Sequence, residues 1–121
     1  MKNLILLLVV FISYQSFSNE RTVNIDKSFG KWTGKEITTK IHFGKLNISS
    51  GSINLDDNGV SGEVKVDMET LVVEDLQGEW GKKLEGHLKS DDFFSVDKFK
   101  ESSIKTTSST KKSDNSYEVQ G

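Results

Sequence analysis

Two histidines and three acidic pairs are the side chains of this sequence with the greatest capacity for chemistry. There is no cysteine, and the residues concerned are His42, His87, Asp56-Asp57, Glu74-Asp75 and Asp91-Asp92. A zinc site needs three or four ligands that converge on one point, and no spacing among these residues predicts one. Because aspartate is common in turns and helix caps, the acidic pairs are interpreted as structural, and no metal site is expected.

His87 is the side chain best placed for acid–base chemistry near neutral pH. It lies between Leu84 and Leu88 on a stretch with helical spacing, and an apolar setting can move a histidine pKa. His42 alternates away from the apolar residues of its strand, which predicts a solvent-facing ring. No nucleophile elbow and no Ser/His/Asp arrangement follow from the spacing. A packed, structural His87 is therefore favoured over a catalytic one, and no catalytic residue is predicted.

The elements that would position these side chains are strands, because apolar and polar residues alternate with a period of two. The clearest strand runs from Val60 to Met68, and Asn58-Gly59 before it favours a type I′ hairpin turn. At Ser49-Ser50-Gly51 the apolar residues change parity, which predicts a β-bulge. Counting such segments gives about six strands, over residues 22–33, 36–43, 45–56, 60–73, 101–109 and 116–121.

One stretch, Gly86 to Phe94, departs from this alternation and predicts a short helix. Ser90-Asp91-Asp92 supplies side-chain acceptors that can end one helical turn and cap the next. Phe93 and Phe94 follow at once. A short helix that carries two aromatic rings towards a sheet is interpreted as a plug or lid. Residues 77–83 are interpreted as a glycine-broken connection that leads to it.

Residues 1–18 are predicted to be a signal peptide. Lys2 supplies a positive start, Leu4 to Ile12 are apolar, and Ser16-Phe17-Ser18 offers small residues for cleavage. The apolar run is shorter than the ~20 residues that span a bilayer. We therefore expect an exported protein, periplasmic or secreted, with no transmembrane segment after cleavage. Residues 19–121 would then form one domain.

Composition narrows the classes of function further. The sequence has 16 basic and 18 acidic residues, a formal net charge of −2, whereas nucleic-acid binding usually needs a basic face. With no cysteine there is no disulfide framework, and a hydrophobic content of 34% predicts a thin core. Consecutive strands on short turns favour an antiparallel meander that curls into a barrel or half-barrel. Such a domain either holds a ligand or fills its core with its own side chains.

A resemblance to a known family adds to these observations. Gly86 to Phe99, which reads GHLKSDDFFSVDKF, closely resembles the helical signature of the YceI-like family. Earlier and later landmarks resemble the family in the same order, at Trp32-Thr33-Gly34-Lys35, Gly51-Ser52-Ile53, Gly62 to Leu71 and Tyr117 to Gly121. The resemblance implies an all-β, antiparallel, lipocalin-like barrel with a short helical insert. It also implies that residues 19–121 are a YceI-like domain lacking its last strands, because the family continues beyond the equivalent of Gly121.

The resemblance further implies lipid binding rather than catalysis. The ligand would be a polyisoprenoid, such as an isoprenoid quinone, or another long-chain amphiphile inside the barrel, with no other cofactor. The sequence leaves a homodimer open, and a β-structural or interaction protein with a self-filled core remains the alternative. The alternation and the resemblance together give these candidate lipid-binding residues: Trp32, Ile41, Phe43, Ile53, Leu55, Val64, Val66, Met68, Phe93 and Phe94.

Overall fold

A computed structural model describes residues 19–57 and 59–121. The predicted signal peptide lies outside the described residues. Seven strands and one helix make up the described part of the chain, which confirms the all-β class with a helical insert. They are β1 (Glu20–Thr22), β2 (Phe29–Lys35), β3 (Ile41–Asp56), β4 (Gly59–Val73), α1 (Gly78–Lys89), β5 (Glu101–Lys105), β6 (Ser108–Ser113) and β7 (Ser116–Gln120).

Strand β3 organises the main sheet. It pairs with β4 along one edge, while β1 and β2 share its other edge, and β5 pairs with the far side of β4; every pairing is antiparallel. Strands β6 and β7 form a separate hairpin. A hydrogen bond connects this hairpin to β4, because the Val60 backbone N–H donates to the Ser109 hydroxyl at 2.8 Å. The main sheet is open along its described edges. The expectation of an antiparallel barrel that is incomplete in this chain is confirmed.

The predicted first strand, 22–33, is wrong as a single element. A 3-10 turn at Ile25–Lys27 divides it, and the Asn24 side chain caps that turn by accepting the Asp26 N–H at 3.2 Å. Asparagine favours such local caps over a continuous ladder, which explains why β2 begins only at Phe29.

The predicted break at Gly44 is also wrong, because β3 runs through it. Gly44 keeps its place in both ladders, opposite Trp32 of β2 and Val73 of β4. A glycine lacks a side chain to pack but still donates and accepts backbone hydrogen bonds, so it need not end a strand. The predicted strand 101–109 instead divides, since the N–H groups of Thr106 and Thr107 bond to carbonyls of different strands.

The predicted bulge is confirmed by a register shift of β3 against β4 between Ile48 and Ser50. A second irregularity lies between Lys45 and Asn47, where β4 carries the extra residues. The Thr70 hydroxyl stabilises this second site, because it accepts the Asn47 N–H at 2.8 Å and donates to the Asp67 carbonyl at 2.6 Å. Side chains that follow a bulge change face, so these two sites decide which residues share a surface.

Helix α1 begins at Gly78, eight residues before the predicted start, so the interpretation of 77–83 as a connection is wrong. The glycine that suggested a break is what allows the helix to pack closely. Gly81 is buried, and a Cβ atom there would lie 2.4 Å from the Leu76 carbonyl oxygen. No helix in the described residues is long and apolar enough to cross a membrane.

The hydrophobic core lies between the sheet and α1. Leu71, Met68 and Val96 are its buried side chains, and Trp32, Leu46, Val66 and Leu88 pack against them. Residues paired across an antiparallel ladder share a face, so the sheet has two distinct surfaces. The helix-side face carries Trp32, Leu46, Val66 and Met68, and the open face carries Phe29, Lys31, Phe43 and Lys45.

Candidate functional site: an apolar sheet face with a covered and an uncovered end

The helix-side face divides into two ends. At the covered end, α1 and the segment after it lie over the sheet, and Leu71 is 1% exposed. Glu85 of α1 fixes this arrangement by accepting the Val73 N–H at 3.3 Å. The covered end consists of Trp32, Leu46, Val66, Met68 and Leu71.

Trp32 binds three strands together at the covered end. Its indole ring crosses Gly44 of β3, and its Nε1–H donates to the Val72 carbonyl of β4 at 2.9 Å. A Cβ atom at position 44 would lie 2.6 Å from that indole nitrogen and 1.8 Å from the Val72 carbonyl oxygen. Gly44 is therefore required by close approach, and it lets Trp32 reach across the strand.

The uncovered end begins where α1 stops protecting the sheet. Ile53, Ile104 and Val119 remain 39%, 59% and 45% exposed there. With Val60 and Val64 they line a cavity of about 270 Å³, slightly smaller than the ~300–1,000 Å³ of ordinary ligand pockets. The uncovered end, defined by Ile53, Val60, Val64, Ile104 and Val119, is therefore an apolar wall that a ligand could cover rather than a closed pocket.

Six of the ten predicted lipid-binding residues share the helix-side face. Ile53 and Val64 line the cavity at the uncovered end, and Leu55 is paired with Val60 beside it. The other three, Trp32, Val66 and Met68, belong to the covered end.

Ile41 and Phe43 lie on the open face. The ladder between β2 and β3 is unbroken from the Lys35–Ile41 pair to the Phe29–Asn47 pair. The alternation of side chains between the two faces of β3 therefore continues through Gly44, and residues 41 and 43 point away from Leu46. Two of the predicted wall residues are thus separated from the others by the thickness of the sheet.

Phe93 and Phe94 lie in a tight corner after α1. The Phe94 N–H donates to the Leu88 carbonyl at 3.0 Å, and the Ser95 N–H donates to the Ser90 carbonyl at 2.9 Å. The Phe93 ring meets the His87 ring edge-on at 5.0 Å between centroids and is 58% exposed. The two aromatics are presented outward by this corner and do not line the cavity at the uncovered end.

Asp91 stabilises the same corner electrostatically. Its carboxylate accepts hydrogen bonds from the Ser95 hydroxyl and, at 3.1 Å, from the Lys98 ammonium. The Ser95 bond first, and then the Lys98 bond, hold the pKa of Asp91 below its ordinary value. The interpretation of this acidic pair as structural is consistent with these contacts.

Three residues of the uncovered end were missed by the sequence reasoning. Val60 pairs with Leu55, Ile104 faces Val64 across β4 and β5, and Val119 reaches the cavity from β7. Ile104 carried a weak signal as the lone strongly apolar residue of a polar strand. Val119 carried none, because nothing local predicts that a separate hairpin turns back to the main sheet.

The prediction of a solvent-facing His42 is wrong. Its side chain is 18% exposed, with Nδ1 at 2.7 Å from an Asp75 carboxylate oxygen and Nε2 at 3.4 Å from Glu36. The Asp75 hydrogen bond is the main cause that raises the pKa of His42. Burial favours the neutral form of Asp75, but hydrogen bonds from the Phe43 N–H and His42 hold its pKa below the ordinary value.

This histidine ties strand β3 to the loop before α1. Because Asp75 and Glu36 contact opposite ring nitrogens, the three groups do not converge on one point as metal ligands would. Over residues 19–57 and 59–121, no group of three or more His, Asp or Glu side chains is arranged to hold a metal ion. His87 is 55% exposed and lies 3.3 Å from Asp92, so its setting is less apolar than its helical spacing predicts.

The open antiparallel sheet, the helical insert and the partly exposed apolar face define an all-β domain with an uncovered apolar surface. Comparison with known families agrees, because the YceI-like domain matches residues 18–121. The chain belongs to the YceI-like family, a family of lipid- and polyisoprenoid-binding β proteins, which confirms the resemblance found in the sequence. No curated protein and no solved structure matches the chain significantly.

Proposed function

We propose that this protein is an exported carrier, periplasmic or secreted, that holds a polyisoprenoid or another long-chain amphiphilic lipid on its helix-side face. The observation that supports this most is the uncovered end. There the apolar side chains Ile53, Ile104 and Val119 continue the core of the protein but stay 39% to 59% exposed. Covering such a wall with a hydrocarbon chain gains about 25 cal/mol per Å² of apolar area removed from water.

In this proposal the two ends of the face have different tasks. The covered end, with Trp32, Val66 and Met68, supplies a rigid floor. The uncovered end, together with Leu55, contacts the lipid chain. Phe93 and Phe94 lie outside the cavity and are exposed, so their proposed role is to contact the part of a long chain that extends beyond it. Ile41 and Phe43 are left out of the wall because they lie on the open face.

Native mass spectrometry of the exported protein, before and after denaturation, tests the proposal. We expect an excess mass equal to one long-chain lipid, lost on denaturation. The double variant Val64→Ser/Ile104→Ser should lose that excess, because hydroxyl groups would interrupt the wall. The matched control Val72→Ser changes an exposed valine of the open face and should retain it. A bare protein mass for the wild type would contradict the proposal.

The proposed role of the aromatic corner needs its own variant. We expect Phe93→Ala to reduce the amount of lipid recovered by organic extraction while the melting temperature stays close to that of the wild type, since Phe93 is 58% exposed. Phe99→Ala, at a nearby phenylalanine that is 65% exposed, is the control. Equal lipid content in wild type and Phe93→Ala would remove Phe93 from the site.

A protein of another class, a β-structural or interaction protein with a self-filled core, is the second candidate. The observation that favours it is the covered end, where Leu88 and Val96 of the same chain already fill the face. Extraction with organic solvent separates the two candidates. Release of a lipid favours the carrier, and its absence favours the self-filled domain.

A further inference from the structure

The open face carries an unusual combination of exposed apolar and cationic side chains. Phe29, Ile41 and Phe43 are 59%, 55% and 37% exposed on it. The Lys31 ammonium lies 5.1 Å from the centre of the Phe43 ring, and the Lys45 ammonium lies 5.2 Å from that of Phe29. Aromatic rings and lysines are thus interleaved across β2 and β3.

The charges on this face are arranged at a cost to the free protein. Lys31 stands directly opposite Lys45 in the β2–β3 ladder, and like charges at such positions are destabilising. Glu74 offsets Lys45 with an ion pair of 2.8 Å, while Glu36 is turned towards His42. Around Lys31, Lys35 and Lys45 the face is therefore locally positive, although the chain as a whole has a net charge of −2 and Asp67 lies further along the same face, opposite Asn47.

The turn between β2 and β3 extends this surface with an apolar tip. Ile37 is fully exposed, at 104%, and Lys35 and Lys40 flank it. Thr39 has a φ of +91°, a conformation that is strained for a β-branched residue and normally taken by glycine or asparagine. The turn thus contains a strained threonine, and it presents Ile37, which directly follows the half-exposed Glu36, with Lys35 and Lys40 at its two ends.

We propose that this surface, the docking face, attaches the protein to an anionic lipid bilayer. The docking face consists of Phe29, Lys31, Lys35, Ile37, Lys40, Ile41, Phe43 and Lys45. Apolar side chains would enter the boundary between headgroups and acyl chains, and the lysines would bind acidic headgroups, as in other interfacial surfaces. The proposal concerns the opposite face from the carrier site and goes beyond it, so it holds whether or not the helix-side face carries a lipid.

Charge complementarity favours a bilayer over a second copy of the chain. A twofold dimer through the docking face would bring the same patch of each copy together, so that Lys31, Lys35 and Lys45 would face like charges. A soluble polyanion would satisfy the lysines but would leave Ile37 and Phe29 in water. An anionic bilayer satisfies both kinds of side chain.

The absence of cysteine makes a site-specific test direct. An Ile37→Cys variant labelled with an environment-sensitive fluorophore is titrated with phosphatidylcholine vesicles, and with vesicles of equal parts phosphatidylcholine and phosphatidylglycerol. We expect a blue shift with the anionic vesicles alone, weakened by added salt. The control, Lys111→Cys on β6, carries the same label and should show no shift. No shift at position 37, or an equal shift with both kinds of vesicle, would overturn the proposal.

Charge variants test the lysines separately. Co-sedimentation of Lys31→Gln/Lys35→Gln with the anionic vesicles should be weaker by at least about tenfold, because each lysine near an anionic surface contributes measurably to binding. The matched control Lys111→Gln/Lys112→Gln removes the same charge from β6 and should bind like the wild type. Equal losses in the two pairs would overturn the proposal. So would a concentration-dependent shift of the Ile37→Cys label without vesicles, which would identify a second copy as the occupant.

Discussion

The two ends of the helix-side face share strands β3 and β4, yet they differ in cover. At the covered end Leu71 and Met68 are 1% and 6% exposed, whereas at the uncovered end Ile53 and Ile104 are 39% and 59% exposed. The difference is made by α1 and the segment through Val96, which lie over one end only. Alternation and the two irregularities between β3 and β4 thus decide which side chains share the apolar face, and segments outside the sheet decide whether that face is closed.

The comparison also separates stability from binding. Side chains at the covered end are in contact with their own chain and should contribute most of the hydrophobic stability. Shortening a side chain at the uncovered end should remove little buried apolar area, because water already reaches these side chains. If the two ends have these separate roles, substitutions should affect the free energy of unfolding at one end and lipid content at the other.

The largest effect is expected at Leu71. Leu71→Ala would leave a cavity under α1, and such changes cost about 2–5 kcal/mol of unfolding free energy, measured here by urea denaturation. The neighbouring Val72→Ala, on the open face and 40% exposed, should cost less than about 1 kcal/mol. Similar losses at 71 and 72 would mean that the covered end is not the main source of stability.

Trp32→Phe should have the next largest effect. It keeps an aromatic ring but removes the hydrogen bond to the Val72 carbonyl at 2.9 Å, which should cost about 1–2 kcal/mol. Trp80→Phe, in a side chain that is 71% exposed, serves as the control and should leave the unfolding midpoint nearly unchanged. Equal midpoints for Trp32→Phe and the wild type would show that the bond across Gly44 adds nothing to the covered end.

How much of this could be predicted from the sequence depends on whether the signal was local. The strand from Val60 to Met68 and the bulge near Ser50 followed from alternation and were confirmed. The second irregularity, near Asn47, depends on β4 supplying extra residues and on the Thr70 hydroxyl. Neither is visible in the pattern of β3. The face of Ile41 and Phe43 was misassigned for another reason: β3 runs through Gly44 without changing parity and changes it at the bulge near Ser50, so these two residues face away from Ile53.

The start of α1 and the setting of His42 were missed for a related reason. Gly78 and Gly81 have low helix propensity, yet Gly81 is where the helix packs against Leu76. His42 alternates correctly with its neighbours, but its partner Asp75 is far along the chain. Local preference was overridden in both cases by contacts that form only in the folded protein.

The His42–Asp75 pair allows a pH-dependent test at the edge of the covered end. A raised histidine pKa stabilises the fold below the ordinary value of 6.5, and this contribution is lost as pH rises through the raised pKa. The lowered pKa of Asp75 means that its ionised form also stabilises the fold. This contribution is fully present above the ordinary value of 3.8 and is lost as pH falls through the lowered pKa.

We therefore expect the difference in melting temperature between wild type and His42→Gln to be largest between these two ordinary values. It should shrink as the solution becomes alkaline. In an Asp75→Asn background the same comparison should lose most of its pH dependence. A difference that grows with rising pH would contradict the assignment of this pair.

The smallest effect on stability is expected at the uncovered end. Ile104→Ser should change the free energy of unfolding by no more than about 0.5 kcal/mol, because Ile104 is 59% exposed. The same variant should reduce the lipid recovered by extraction, if the carrier proposal holds. A loss of stability comparable to that of Leu71→Ala would mean that both ends of the face act as core.

Both edges of β3 are paired with other strands, and this affects how the protein unfolds locally. Three strands, β1, β2 and β4, are hydrogen-bonded to β3, and the remaining ladder of the main sheet joins β4 to β5, so three ladders are lost without β3. The β6–β7 hairpin holds its own ladder and has only a few bonds to the main sheet. Amide protons in β3 should therefore exchange with solvent deuterium only when the whole sheet unfolds, whereas those of the hairpin should exchange through a smaller, earlier opening.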